Sequence, residues 1–146
     1  MIEPQQSDIE IYVAAPAPRI IAWLQQRFSW AAPLAPSRRG GMSTHRGRLL
    51  TQPGRVDAGN PVAEPEASVE VPVLVVADIA DGYTSVLFDS PAAPWPDDLA
   101  CAKEMATALD CEIRCTNGSW QPDQAEDEGW LSVTRTGARA IRWKPA

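Results

Sequence analysis

The sequence predicts an α+β fold: two layers, with a mainly antiparallel sheet of five to seven strands and two helices on one face. Three observations predict it. Residues 69–89 hold two β-branched runs around Asp81-Gly82, and residues 130–143 hold a second paired run around Thr136-Gly137. Residues 18–28 and 97–109 repeat apolar positions at helical spacing. Hairpin-linked strands with few helices bury their apolar faces best as one sheet with helices on one side. The 146 residues fall in the range of one domain, so 1–146 is read as a single unit.

Ile9, Ile11 and Val13 alternate with Glu10 and Tyr12, the two-residue period of a half-buried strand. Pro16 ends it, and Pro18 suits a first helical turn, where its missing N–H is not needed. Ile20, Ile21, Leu24 and Phe28 then mark an amphipathic helix over 18–28.

Residues 31–68 change character. Five prolines and five glycines (Pro33, Pro36, Pro53, Pro61, Pro65; Gly40, Gly41, Gly47, Gly54, Gly59) argue against any long regular element. The centre is basic, with Arg38, Arg39, His45, Arg46, Arg48 and Arg55. Arg48 to Gln52 is the expected single short strand; the alternative is an arm that orders on a partner.

In the 69–89 hairpin, a two-residue turn at Asp81-Gly82 pairs Ala80 with Tyr83, Ala77 with Val86 and Val75 with Phe88. Val73, Val75, Ala77, Ile79, Val86 and Phe88 then form the core face. The other face carries Leu74, Val76 and Leu87 beside Asp78, Tyr83, Ser85 and Asp89. Such a half-apolar surface calls for a cover, either the 31–68 segment or a second chain.

The stiff Ser90–Pro96 connection leads to a second helix near Asp97, where Asp97 and Asp98 suit the positive helix end and need no catalytic explanation. Leu99, Ala102, Ala106 and Leu109 form its buried stripe, which leaves Cys101 partly accessible. Strand, Ala/Pro-rich link and helix thus occur twice, as in a doubled βα unit. Glu112 to Cys115 reads as extended, with a turn near Asn117-Gly118, an acidic loop over 123–128 and a final hairpin. A turn at Thr136-Gly137 puts Trp130 opposite Trp143, and moving it by one residue keeps both indoles on one face.

Composition narrows the function. With 13 basic against 19 acidic residues, a net charge of −6 and a pI near 4.7, the chain lacks the basic surface of a general nucleic-acid or anionic-membrane binder. The N-terminal residues do not resemble a secretory signal, and no run reaches membrane-spanning length, so cytoplasmic location is expected. The Ala- and Arg-rich bias is that of a GC-rich genome and points to a bacterial source. Three cysteines cannot all pair internally. Cys111 and Cys115, about 13 Å apart if extended, exceed the roughly 7 Å that a disulfide spans. Reduced cysteines packing as small apolar groups are expected, and one His completes no convincing zinc site, so neither a metal nor a cofactor is assigned.

No nucleophile elbow, zinc-protease, phosphate-loop or dinucleotide pattern occurs, and the single His45 lies among Gly and Pro. The expectation therefore leans away from an enzyme. Two weaker patterns are noted. Arg38-Arg39-Gly40-Gly41 could wrap a phosphate, and Asp123 to Glu128 could hold a hard cation but lack the EF-hand spacing.

Six tryptophans are the main departure from ordinary composition. Trp23 suits the core. Trp30, Trp95 and Trp120 sit at element ends or in loops, where indoles act as plugs or interface anchors, with Trp95 between two prolines the most rigid. The favoured function is a non-enzymatic interaction domain that binds a protein partner, a basic one by charge, through Trp95, Trp120, Glu126, Asp127, Glu128, Trp130 and Trp143. Small acidic inhibitor and immunity proteins share this architecture, an analogy of fold alone. The alternative is a small-molecule site or enzyme pocket between the sheet and the 31–68 segment, using Arg46, Arg48, Asp78 and Tyr83. Homodimerisation through the half-apolar sheet face is the third reading.

Overall fold

The computed structural model describes residues 9–39, 42–51, 69–80, 82–90, 92–116 and 129–143. These form β1 (Ile9–Val13), α1 (Ala17–Arg27), β2 (Ser29–Arg39), β3 (Met42–Thr51), β4 (Val69–Ala80), β5 (Tyr83–Phe88), α2 (Asp98–Leu109), β6 (Ile113–Thr116), β7 (Trp130–Thr134) and β8 (Gly137–Ile141). The eight strands make one sheet in the order β2-β3-β4-β5-β1-β6-β7-β8, and every neighbouring pair is antiparallel. The fold is α+β, as the hairpin and helix patterns predict, with one strand more than the expected upper bound.

The extra strand comes from residues 29–51. Their Pro and Gly content reads as loop, yet they form an 11-residue and a 10-residue strand. β2 is the edge, the place in a sheet where Pro33 and Pro36 can do without an N–H. Its register slips between Trp30 and Ala32 and again between Ala32 and Ala35, which lets a proline-bearing chain stay paired. Gly47 permits the approach: a Cβ there would lie 2.8 Å from the Ala32 carbonyl oxygen. The described part of the 31–68 segment thus extends the sheet and does not cover it. The expected Arg48–Gln52 strand is the end of β3, with Gln52 outside the described residues.

One face is the core. Ile9, Ile11 and Val13 of β1 pack with Leu49, Val71, Val73, Val75, Val86, Phe88, Ile113 and Val133 from the other strands. Ile20 and Leu24 of α1 and Cys101, Ala102, Met105, Ala106 and Leu109 of α2 close the same cluster, so both helices lie on that face. α2 begins as its residues dictate, with the Asp97 carboxylate accepting the Ala100 N–H at 2.9 Å. At its other end the Arg19 guanidinium donates to the Leu109 carbonyl, one of the acceptors a helix end leaves open. No helix among the described residues is long and apolar enough to cross a membrane.

Two expectations need correction here. Cys101 is fully buried, its Sγ 4.0 Å from Met105 Sδ, because the buried stripe of α2 is wider than Leu99, Ala102, Ala106 and Leu109 and takes in positions 101 and 105. In the β4–β5 hairpin, Ala80 does face Tyr83, but Val75 faces Val86 and Val73 faces Phe88. β4 holds two extra residues between Val76 and Ala80. An offset of two preserves side-chain parity, so Val73, Val75, Val86 and Phe88 keep the core face. Ile79, past the irregularity, packs instead with Tyr83 and Trp143 on the opposite face.

Both βα links start from the sheet centre, where β1 and β5 are adjacent and antiparallel. α2 carries the chain over β1 to β6, which runs parallel to β5, a split βαβ arrangement. α1 leads past three strand positions to the edge strand β2. Strand direction then sorts the connections. Ile9 is level with Phe88, Thr51 pairs with Val69, and Trp130 pairs with both Thr116 and Ile141. The start of β1, the β3–β4 and β6–β7 connections and the end of β8 therefore all lie at one end of the sheet.

Candidate functional site

The sheet face away from the helices has two unlike halves. Over β1 and β5–β8, the odd-even alternation sends Tyr12, Tyr83, Arg114, Trp130 and Ser132 to this side, and the chain after β8 returns Trp143 onto it. Trp143 is only 7% exposed. Its ring lies 5.2 Å from Tyr12, 5.3 Å from Tyr83 and 4.9 Å from Trp130, mostly edge to face. The Arg114 guanidinium sits 4.9 Å from both the Tyr83 and the Trp143 ring centres, so a cation is already held in this aromatic cage.

Trp130 faces Ile141 and not Trp143, because the β7–β8 turn is Arg135-Thr136, one residue earlier than Thr136-Gly137. The indoles still share a face. Trp130 is half-buried and Trp143 buried, so both serve this intramolecular cluster.

Glu112 organises the polar side of the cluster. Its carboxylate accepts the Tyr83 hydroxyl at 2.7 Å, the Ser132 hydroxyl at 2.6 Å and Arg114 Nε at 3.0 Å. Burial disfavours its ionisation, but the Ser132, Tyr83 and Arg114 hydrogen bonds outweigh that and hold its pKa below the ordinary glutamate value. Glu104 behaves alike: burial opposes ionisation, while hydrogen bonds from Arg27 at 2.7 Å and Trp95 at 2.9 Å lower its pKa. A carboxyl whose folded pKa is depressed adds stability above its unfolded pKa, about 4.3, and loses it as pH falls through the folded value. Melting temperature should therefore fall on acidification below about pH 4.3, and less steeply in Glu112→Gln. Equal slopes in a melting series from pH 6 to pH 3 would remove this role.

Trp95, expected as a hook, is half-buried. Its ring lies 5.0 Å from Phe88 and 5.6 Å from Phe28, and its Nε1 donates to Glu104. Trp30 likewise donates to the Leu24 carbonyl at 3.2 Å, and Trp23 packs half-buried against the core. The three thiols are free. Burial pushes the Cys115 thiol up to about 12 and raises Cys101 and Cys111 as well, so they stay protonated and poorly nucleophilic.

The other half of this face, over β3–β5, holds a groove of about 330 Å³. Arg46 and Arg48 line it as the sequence suggests, with Pro72, Leu74, Leu87 and Asp89. Tyr83 does not line it, being committed to Glu112, and the Asp78 side chain lies outside the description. Arg48 Nε is 3.0 Å from Glu70 Oε1. Leu74, Leu87 and Asp89 were legible as facing away from the core, but nothing local in the sequence joins them to Arg46; that takes the β3–β4 pairing.

Trp120, Glu126, Asp127 and Glu128 lie outside the described residues, in the sequence between Thr116 and Gly129. Three sequence segments adjoin the strands at the end of the sheet defined above: 1–8, 52–68 and 117–128. They contain Glu3, Asp8, Asp57, Glu64, Glu66, Asp123, Glu126, Asp127 and Glu128 against Arg55. Their balance is more negative than the whole chain's −6, so the rest is slightly basic. Compared with known protein families, curated proteins and solved structures, the chain matches none of them.

Proposed function

We propose that the chain is a cytoplasmic, non-enzymatic interaction domain that docks a basic protein partner at the acidic end of its sheet. The observation that supports this reading is topological: antiparallel pairing brings to one end the strand ends from which three acid-rich segments continue, although those segments are far apart in sequence. Charge concentrated there attracts a basic surface at long range and acts mainly on the rate of encounter. Glu126, Asp127 and Glu128 are three consecutive acids within it, with Trp120 as the apolar anchor. Trp95, Trp130 and Trp143 support the domain behind that surface, since their rings are engaged within the chain. Protonated, free thiols suit a reducing compartment.

The test is affinity capture from a native lysate with the wild-type chain and with Glu126→Lys/Asp127→Lys/Glu128→Lys, at low and at moderate salt. A stoichiometric basic protein should be retained by the wild type, released as salt rises, and lost from the triple variant. Retention by the variant at wild-type level would overturn the assignment. A stable dimer without other partners, seen by light scattering, would favour self-association through the sheet instead.

A further inference from the structure

We propose that the groove over β3–β5 binds a short zwitterionic peptide of two or three residues, its C-terminal carboxylate on Arg46 and its N-terminal ammonium on Asp89. This site is on the sheet face and does not depend on the partner reading, which concerns the sheet end.

The groove is a grid of two rows across three strands. Arg46 faces Leu74, which faces Leu87; Arg48 faces Pro72, whose carbonyl accepts the Asp89 N–H at 2.9 Å. Cations therefore stand on the β3 side, a carboxylate on the β5 side, and an apolar floor lies between. Neither Arg46 nor Asp89 forms an ion pair with a described residue, and both side chains are exposed. Arg48 is tied to Glu70, so its charge is already met and Arg46 is left as the recognising fork.

Size and charge spacing select the ligand. Arg46 and Asp89 stand two strands (about 10 Å) and two residues (about 7 Å) apart, a diagonal of about 12 Å between backbones that their side chains shorten. An extended chain adds about 3.3–3.6 Å per residue, so two or three residues bring unlike termini to the two walls. A volume of about 330 Å³ stands at the lower limit of ligand pockets and suits nothing much larger. Leu74, Leu87 and Pro72 offer the floor to an apolar side chain.

Leucyl-leucine, its C-terminal amide and its N-acetyl form serve as probes, titrated into the full chain and followed by calorimetry and by amide chemical shifts. The parent dipeptide should shift Leu74, Leu87 and Asp89 amides, and each blocked form should bind roughly three- to tenfold more weakly. Arg46→Gln should bind the free acid and the amide equally. Asp89→Asn should bind the free amine and the acetyl form equally. Both residues are exposed, and a circular dichroism spectrum checks that the variants fold. No binding of the parent at millimolar concentration overturns the proposal; so do blocked forms that bind as well as the parent, or variants that keep the wild-type discrimination.

Discussion

Trp143→Ala should destabilise the protein by about 3–5 kcal/mol, the usual cost of removing a buried tryptophan. Its indole touches Tyr12, Tyr83 and Trp130 and covers the Arg114 guanidinium, so the substitution opens a void and unseats a cation together. For a chain of this length the loss corresponds to a fall in melting temperature of roughly 6–20 °C. Trp143→Phe should recover much of it by refilling the space, though with a poorer cation partner. Thermal and urea unfolding of the three proteins measure this directly. A loss under about 1 kcal/mol would mean that the chain after β8 contributes little to the fold.

Phe88→Ala should cost a similar amount, about 3–5 kcal/mol. Phe88 is the largest fully buried side chain among the described residues, and its ring meets Trp95, which in turn meets Phe28. The consequence should reach the tryptophan signal: near-ultraviolet circular dichroism should weaken as Trp95 loses its packing partner. If stability falls but that signal is unchanged, Trp95 is held by Glu104 and Phe28 alone. This pair of readouts separates an indole that plugs the helix layer from one displayed for a partner.

The functional surfaces were less legible than the fold. Arg46 and Arg48 can be picked from the sequence as two cations on one strand face, but their opposite wall, Asp89, is 41 to 43 positions away and joins them through β4. The Glu112 network was invisible for the same reason. Glu112, Tyr83, Arg114 and Ser132 have no distinctive spacing, and it takes the β1–β5, β1–β6 and β6–β7 pairings to bring them together. Trp130 and Trp143 could be placed on one face because alternation survives a register error of two.

Local patterns determined the helices, the β4–β5 and β7–β8 hairpins, the Asp97 cap and the core face of residues 9–13, 73–75 and 86–88. Each follows from periodicity or turn chemistry within about 20 residues. Tertiary structure decided the rest. Residues 29–51 became strands in spite of their prolines because a sheet edge tolerates a missing N–H, a condition no local rule can test. Ile79 changed faces because it lies in the stretch between Val76 and Ala80 where the pairing of β4 with β5 is interrupted. The strand ends that flank the acid-rich segments share one end because antiparallel pairing sets strand direction, and direction is a property of the whole sheet.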